Sequence, residues 1–280
     1  MKKTLIAMAV AGVVSAPVHA GVSGSMAYGY WDKGDTIELD PTDPLFGTVI
    51  AVGDSMMGGI LVLSASGEST TNGGSTVYGN FSLSASGQEL GNWDGSYGST
   101  GVVVGIKGDF GNISLGDGGS GAHLGQLAGD RMDVTRGDNY RHAIGYTNSF
   151  EGITIRATSD PSETGENTFG LQGVFGGVTV GFGKEADDTV IGAAMSFGDI
   201  GLAIHSTDWD AINESSLAIK VSYSAGDLSA SYQTEDLDGY VKSQLDVSYS
   251  LGGGAAVSLR NRADDSDSGE YTRILLSTSF

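Results

Sequence analysis

Few side chains in this sequence could perform acid–base or nucleophilic catalysis. Beyond the first twenty residues the histidines are His123, His142 and His205, and the chain contains no cysteine. The sequence has neither a G-x-S-x-G elbow nor an H-E-x-x-H zinc pair. Because the three histidines belong to no such motif, we expect each to have a structural role, and we predict neither an enzyme nor a cofactor.

The most unusual chemical feature is an acidic, Gly-rich segment from Asp117 to Asp138, which lies between two alternating runs. Compact domains seldom carry so long a connection between strands unless it has a function. Opposed charges across a narrow aqueous gap create a transverse field that orients water and dipolar solutes. We therefore interpret this segment as a loop that folds into the lumen of a membrane β-barrel and sets the width and charge of a pore.

Strands must position this loop, because the period of the sequence is two almost throughout and no helical pattern competes with it. The pattern predicts an all-β protein, a transmembrane antiparallel β-barrel of 16 strands with an inward-folded third loop. The alternating segments are 22–31, 57–67, 76–87, 99–108, 111–117, 139–148, 151–159, 168–176, 177–185, 188–198, 200–209, 214–225, 227–235, 240–251, 254–263 and 270–280.

Sorting the segments by odd and even position separates charged residues from apolar ones. In segment 240–251, Val241 and Leu245 share one face, whereas Lys242 and Asp246 share the other. An arginine or lysine that faces lipid at the bilayer midplane costs about 2–4 kcal/mol, so this segregation is typical of a barrel with a wet interior. A soluble β-sandwich with its apolar face inside has the same parity, which therefore leaves that alternative open. The basic residues on the polar parity are Lys107, Arg141, Arg156, Lys220, Lys242, Arg260, Arg262 and Arg273, and Lys184 alone falls on the apolar parity.

The connections between the segments fall into two classes. Tight Gly- or Asn-rich turns alternate with connections that are mostly longer and acidic, an asymmetry typical of outer-membrane barrels. A sandwich or solenoid gives no reason for such sorting. The connection from Glu68 to Ser75 is the expected exception, because it is long for a turn.

The first twenty residues predict an export signal. Lys2 and Lys3 precede a short apolar stretch, and Ala20 ends an A-x-A-like cleavage site, which leaves residues 21–280 as the barrel domain. With 14 basic against 34 acidic residues, the net charge of −20 argues against nucleic-acid binding. No later apolar run reaches the roughly 18 residues of a spanning helix. Strands must therefore place the protein in any membrane.

Three patches resemble the general diffusion porins of Gram-negative outer membranes. The chain ends on Phe280, and a terminal Phe on an amphipathic last strand resembles the insertion signal of outer-membrane barrels. Gly108–Gly116 (GDFGNISLG) is similar to the strand, turn and strand that precede the constriction loop of these porins. Arg136–Arg141 (RGDNYR) and Asn148–Gly152 (NSFEG) are similar to the strand and turn that follow it. In architecture the resemblance covers the whole chain after the signal, as a short member of the family.

The resemblance implies which residues line the constriction. The third loop, Asp117 to Asp138, is expected to fold inward with Gln126–Asp130 at its tip. Lys33 is the only basic residue between Gly21 and Ile106, so the early strands add no arginine to the basic wall, and we expect a cation-preferring pore. The implied acidic members are Asp117, Asp130, Asp133 and Asp138, and the implied basic members are Arg136, Arg141, Arg156, Arg260, Arg262 and Arg273.

The resemblance also implies partners and alternatives. It implies a cell outer-membrane location, contact with membrane lipid and lipopolysaccharide, a homotrimer, and passive diffusion of small hydrophilic solutes and ions. In the last loop, Asp264, Asp265 and Asp267 are weak candidates for divalent-ion bridging, but no EF-hand spacing is present and solvated charge is the default. A sugar-type selective channel and an outer-membrane barrel enzyme are the alternative functions.

Overall fold

The computed structural model describes residues 19–33, 56–89, 96–129, 140–159, 161, 167–210, 213–237, 239–264 and 270–279. Within these ranges the chain forms a closed antiparallel barrel of 16 strands. The strands are β1 His19–Lys33, β2 Met56–Thr70, β3 Thr76–Glu89, β4 Ser96–Gly108, β5 Gly111–Gly118, β6 Tyr140–Phe150, β7 Ile153–Ser159, β8 Asn167–Phe175, β9 Val178–Glu185, β10 Asp188–Phe197, β11 Ile200–Trp209, β12 Glu214–Ala225, β13 Leu228–Leu237, β14 Tyr240–Gly252, β15 Ala255–Asp264 and β16 Tyr271–Ser279.

The barrel closes between its first and last strands. Each strand pairs with its neighbours in sequence, and β1 pairs with β16 as well as with β2, with Tyr28 opposite Leu276. Closure leaves no sheet edge with unpaired backbone groups, which is the condition for placing strands in lipid. The predicted fold class and strand number are confirmed.

The two faces of the wall differ as the parity of the sequence predicts. On β12, Leu217, Ile219 and Val221 point outward with relative exposures of 45%, 38% and 45%, whereas the alternate residues Ser216 and Ala218 are buried. The exposed large hydrophobic residues recur on strand after strand, from Leu63 on β2 to Leu276 on β16. An apolar exterior around a polar interior is the arrangement of a transmembrane barrel and the inverse of a soluble sandwich.

The connections at one end of the barrel are all short. Gly176 and Gly177 alone join β8 to β9, with φ values of 60° and 84°, and a two-residue turn of this kind requires positive φ at both positions. At the opposite end, the connections range from a pair of residues between β9 and β10 to the long segment between β1 and β2. The predicted asymmetry between the two ends of the barrel holds, but the β9–β10 and β13–β14 connections are as short as the turns at the other end.

Several predicted segment boundaries differ from the structure by a few residues, and two of these differences change a connection. The connection predicted from Glu68 to Ser75 is shorter, because β2 continues to Thr70 and β3 begins at Thr76. The Thr71 N–H donates to the Ser75 carbonyl at 2.8 Å, which closes a compact turn. The third loop begins after Gly118, so Asp117 belongs to β5 and not to the loop.

Among the described residues, no helix is long and apolar enough to cross a membrane. The only helical segment in this part of the chain is a single turn of 3-10 helix, Gly121–Leu124, within the third loop. The small buried apolar core, built on Ala128, Ala203 and Ala218, lies where this loop meets the barrel wall. The buried contacts inside the barrel are therefore those between this loop and the wall.

Candidate pore constriction

Residues 119–129 of the third loop lie against the inner wall of the barrel. At the start of this segment, Thr158 of β7 donates its hydroxyl to the Gly119 carbonyl at 2.8 Å. The Gly121 N–H donates to the Thr168 hydroxyl of β8 at 2.6 Å. Since these partners come from two different strands and are buried or partly buried, they hold the loop inside the lumen.

The same contacts continue around the wall to β13. Gln172 of β8 donates its amide to the Leu124 carbonyl at 3.3 Å. On the far side, Gln233 of β13 donates its amide to the Gly129 carbonyl at 2.5 Å. The described part of the loop therefore runs along the inner surface from β7 to β13. A backbone that lies along the inner wall in this way narrows the open cross-section of the lumen.

The loop approaches the wall closely because glycines replace side chains there. A Cβ added to Gly170 would lie 1.9 Å from the Gly121 carbonyl oxygen, and one added to Gly181 would lie 1.9 Å from that of Leu124. At Gly183 and Gly192 the nearest loop backbone atoms would be 2.4 Å and 2.2 Å away. Any side chain at these positions would displace the loop. We call Gly170, Gly181, Gly183 and Gly192 the glycine track.

One buried carboxyl group holds the loop directly, and a second lies further along the wall. The Ser120 hydroxyl donates to Glu185 Oε2 at 2.8 Å and also accepts the Ala122 N–H at 3.0 Å. Further along the wall, Ser216 donates to Glu235 Oε1 at 3.1 Å. The acidic residues next to the described part of the loop are therefore on the wall, at positions that the sequence did not single out.

His205 connects the loop to this second carboxylate. The Ala128 N–H donates to His205 Nδ1 at 3.3 Å, so Nδ1 is the ring nitrogen that accepts from the loop. His205 Nε2 lies 3.9 Å from Glu235 Oε1, and both side chains are fully buried. Ser216 bonds Glu235 and not the histidine, so the geometry is not that of a nucleophile and its base. His205 accepts a hydrogen bond from the loop backbone, which is a structural interaction.

The acidic members predicted for the constriction fall mostly outside the described residues. Asp130, Asp133 and Asp138 lie outside them, as does the basic candidate Arg136. The structure places Asp117 on β5 and Arg141 on β6 and describes the backbone there. The roles given to these six residues stay predictions.

Four predicted basic residues have described side chains, and all four lie on the lumen face. Residues directly paired across antiparallel strands point to the same side of the sheet. Arg262 pairs with Gln244, which pairs with Gln233, the residue that binds the loop. Arg156 lies beside the start of the loop, because a Cβ on Gly119 would be 3.4 Å from its Nη1. The remaining two, Arg260 and Arg273, are paired with each other.

The divalent-ion candidates receive no support from the described residues. Asp264 ends β15, and Asp265 and Asp267 lie outside the described ranges. In the described part of the chain, no group of three or more His, Cys, Asp or Glu residues could hold a metal ion.

Sequence reasoning missed the residues that hold the loop. His205, Glu185, Gln233 and Glu235 all lie on the polar parity, but parity does not show which lumen positions meet the loop. One signal was available. On β8, β9 and β10, glycine occupies lumen positions where other strands carry polar side chains, and a run of such glycines indicates close approach of another backbone.

Comparisons with known proteins agree with this geometry. No protein-family model and no curated protein matches the sequence. Among solved structures, one mutant of the Rhodopseudomonas blastica porin matches with a TM-score of 0.72 and 13% identity, over 94% of this chain and 100% of that chain. A tryptophan-substituted mutant of the same porin matches with a TM-score of 0.71 and 12% identity, with the same coverage. At such identities the similarity concerns the fold. The resemblance to porins is thus confirmed at that level: this chain has the porin fold, a closed 16-strand barrel.

Proposed function

We propose that this protein is an outer-membrane channel through which small hydrophilic solutes and ions diffuse passively. The observation that carries the proposal is the position of residues 119–129, which lie along the inner wall of a closed barrel whose outer face is apolar. A loop held against the wall by hydrogen bonds from β7, β8 and β13 restricts the lumen without filling it with a packed core.

We further propose that the channel prefers cations. The chain carries 34 acidic residues against 14 basic ones, and a net charge of −20 attracts counter-ions into an aqueous passage. Glu185 and Glu235 are acidic side chains that lie buried beside the loop. On the lumen face, the ion pair between Lys107 and Glu68 at 3.3 Å partly neutralises one of the basic side chains.

A homotrimer embedded among outer-membrane lipid and lipopolysaccharide completes this proposal. Glycine and alanine are frequent on the early strands, for example in the SASG sequences of β2 and β3, and small residues permit close contact between subunits. Electrical recordings report this assembly directly, because a trimer inserts its three pores together and closes them in three steps. Single-step insertion and closure throughout a recording would contradict the trimer but leave the channel proposal intact.

Ion selectivity tests the proposal most directly. The full chain, refolded in detergent and inserted into planar bilayers, should conduct ions. Under a potassium chloride gradient the reversal potential should have the sign of potassium permeation. A β-rich, folded protein that never raises bilayer conductance would overturn the channel proposal. A reversal potential of chloride sign would overturn only the cation preference.

A further inference from the structure

A polar pocket lies on the inner wall, away from the loop. It spans β12 to β16 and has a volume of about 450 Å³. Its serines Ser224 and Ser229 flank the tight turn between β12 and β13, so the pocket extends from the middle of the barrel towards the turn end. The loop contact at Gln233 lies further from this turn than Ser231, which lines the pocket. The pocket therefore faces the vestibule on the turn side of the loop.

Basic side chains dominate this pocket. Lys220, Arg260 and Arg273 line it together with one carboxylate, Asp246. Arg260 Nε is 2.5 Å from Asp246 Oδ1, and these side chains remain 30% and 35% exposed. Among the described residues, Lys220 and Arg273 have no carboxylate within salt-bridge distance. Three cations and one anion leave a local excess of two positive charges in a chain whose net charge is −20.

The register places two of these cations directly opposite each other. Arg260 on β15 pairs with Arg273 on β16, and like charges at such positions destabilise a sheet. Asp246 pairs with Arg260 from the other side, so the single carboxylate offsets only one guanidinium. An anion bound beside the two arginines would offset the remaining repulsion between them.

The remainder of the lining suits an oxyanion. Serine side chains line the pocket beside the cations. Ser222 pairs with Ser231 across β12 and β13, and Ser258 pairs with Ser248 across β14 and β15. Guanidinium groups bind phosphate through parallel N–H···O bonds, and hydroxyls donate to the oxygens that remain. A volume of about 450 Å³ also lies within the range of about 300–1,000 Å³ that small-ligand sites occupy.

We propose that this pocket, defined by Lys220, Arg260, Arg273 and Asp246, is a binding site for a polyvalent oxyanion of the phosphate or phosphate-ester class. The site is local, so it is compatible with a lumen that favours cations overall. A polyvalent anion gains more than a monovalent one from a lining that carries three cations. The site rests on the lumen geometry alone and does not require that the channel conducts.

Isothermal titration calorimetry with inorganic pyrophosphate tests the site on the refolded full chain in detergent. We expect one site per chain in the unsubstituted protein. Lys220→Gln and Arg273→Gln should each weaken binding about tenfold, which corresponds to about 1.4 kcal/mol. Asp246→Asn should strengthen binding, because it frees Arg260 for the ligand.

Two controls separate a site from a general field. Lys107→Gln removes a basic residue that lines a different pocket, with Glu68 and Tyr78, and Lys184→Gln removes one that is exposed on the outer face. Both should leave pyrophosphate binding unchanged. Binding that Lys107→Gln weakens as much as Arg273→Gln would overturn the proposal, as would absence of binding to the unsubstituted chain. If the unsubstituted chain binds pyrophosphate but does not conduct ions in bilayers, the result counts against the channel proposal and not against the site.

Discussion

The glycine track makes a sharp prediction about the width of the pore. In Gly181→Ala, the new Cβ would lie 1.9 Å from the Leu124 carbonyl oxygen and 2.9 Å from its carbonyl carbon. Because non-bonded heavy atoms pack at roughly 3.5 Å, the loop backbone must retreat from the wall by about 1.5 Å. The wall cannot yield equally, since β9 is paired on both sides with β8 and β10. The loop should therefore move towards the lumen.

The energetic cost of this substitution has two sources. Forcing an extra methyl group into a packed contact costs about 1–3 kcal/mol. Movement of the Leu124 carbonyl also breaks its hydrogen bond from Gln172, which contributes about 0.5–1.5 kcal/mol. These costs fall on the loop contact and not on strand pairing. The barrel should remain folded while its constriction changes.

Single-channel recording is the assay for this prediction. Gly181→Ala should lower the conductance of each open pore, and Gly181→Val should lower it further, because the larger side chain displaces the loop more. Gly201→Ala is the matched control on β11. There the added Cβ would meet only the Ser222 hydroxyl, at 2.4 Å, which can rotate away. Conductance in Gly181→Val equal to that of the unsubstituted protein would refute the placement of the loop on the wall.

Two further substitutions test the anchoring of the loop and the orientation of the wall. Thr168→Val removes the acceptor of the buried Gly121 N–H, which should destabilise the loop contact by about 1–3 kcal/mol. Hydrogen exchange of the Gly121 amide should therefore accelerate, and an unchanged exchange rate would contradict the contact. Ile219→Arg places a charge on the outward face of β12 and should cost about 2–4 kcal/mol when unfolding is measured in lipid vesicles. The lumen-facing Ser222→Arg should cost much less, and equal costs would show that the faces are assigned wrongly.

The sequence alone determined the wall of the barrel. Alternation is a local property, because successive side chains on a strand point to opposite faces whatever the rest of the chain does. Period and parity therefore predicted 16 strands and placed Arg156, Lys220 and Arg260 on the polar face before any pairing was known. The export signal, the resemblance to porins and the negative net charge added the expectation of a cation-preferring pore. The turn at Thr71–Ser75 was predicted too long because the polar residues at the end of β2 resemble a loop in composition.

Only the tertiary structure decided what meets inside the barrel. His205 and Glu235 are far apart in sequence, and they face each other because β11, β12 and β13 pair in one register. The same holds for Asp246, Arg260 and Arg273, which form one cluster only after β14, β15 and β16 align. Register and closure are collective properties of the sheet, so they set which lumen residues touch the loop and which form a basic pocket. Local periodicity fixes the face of a residue but carries no information about its partner across the strands.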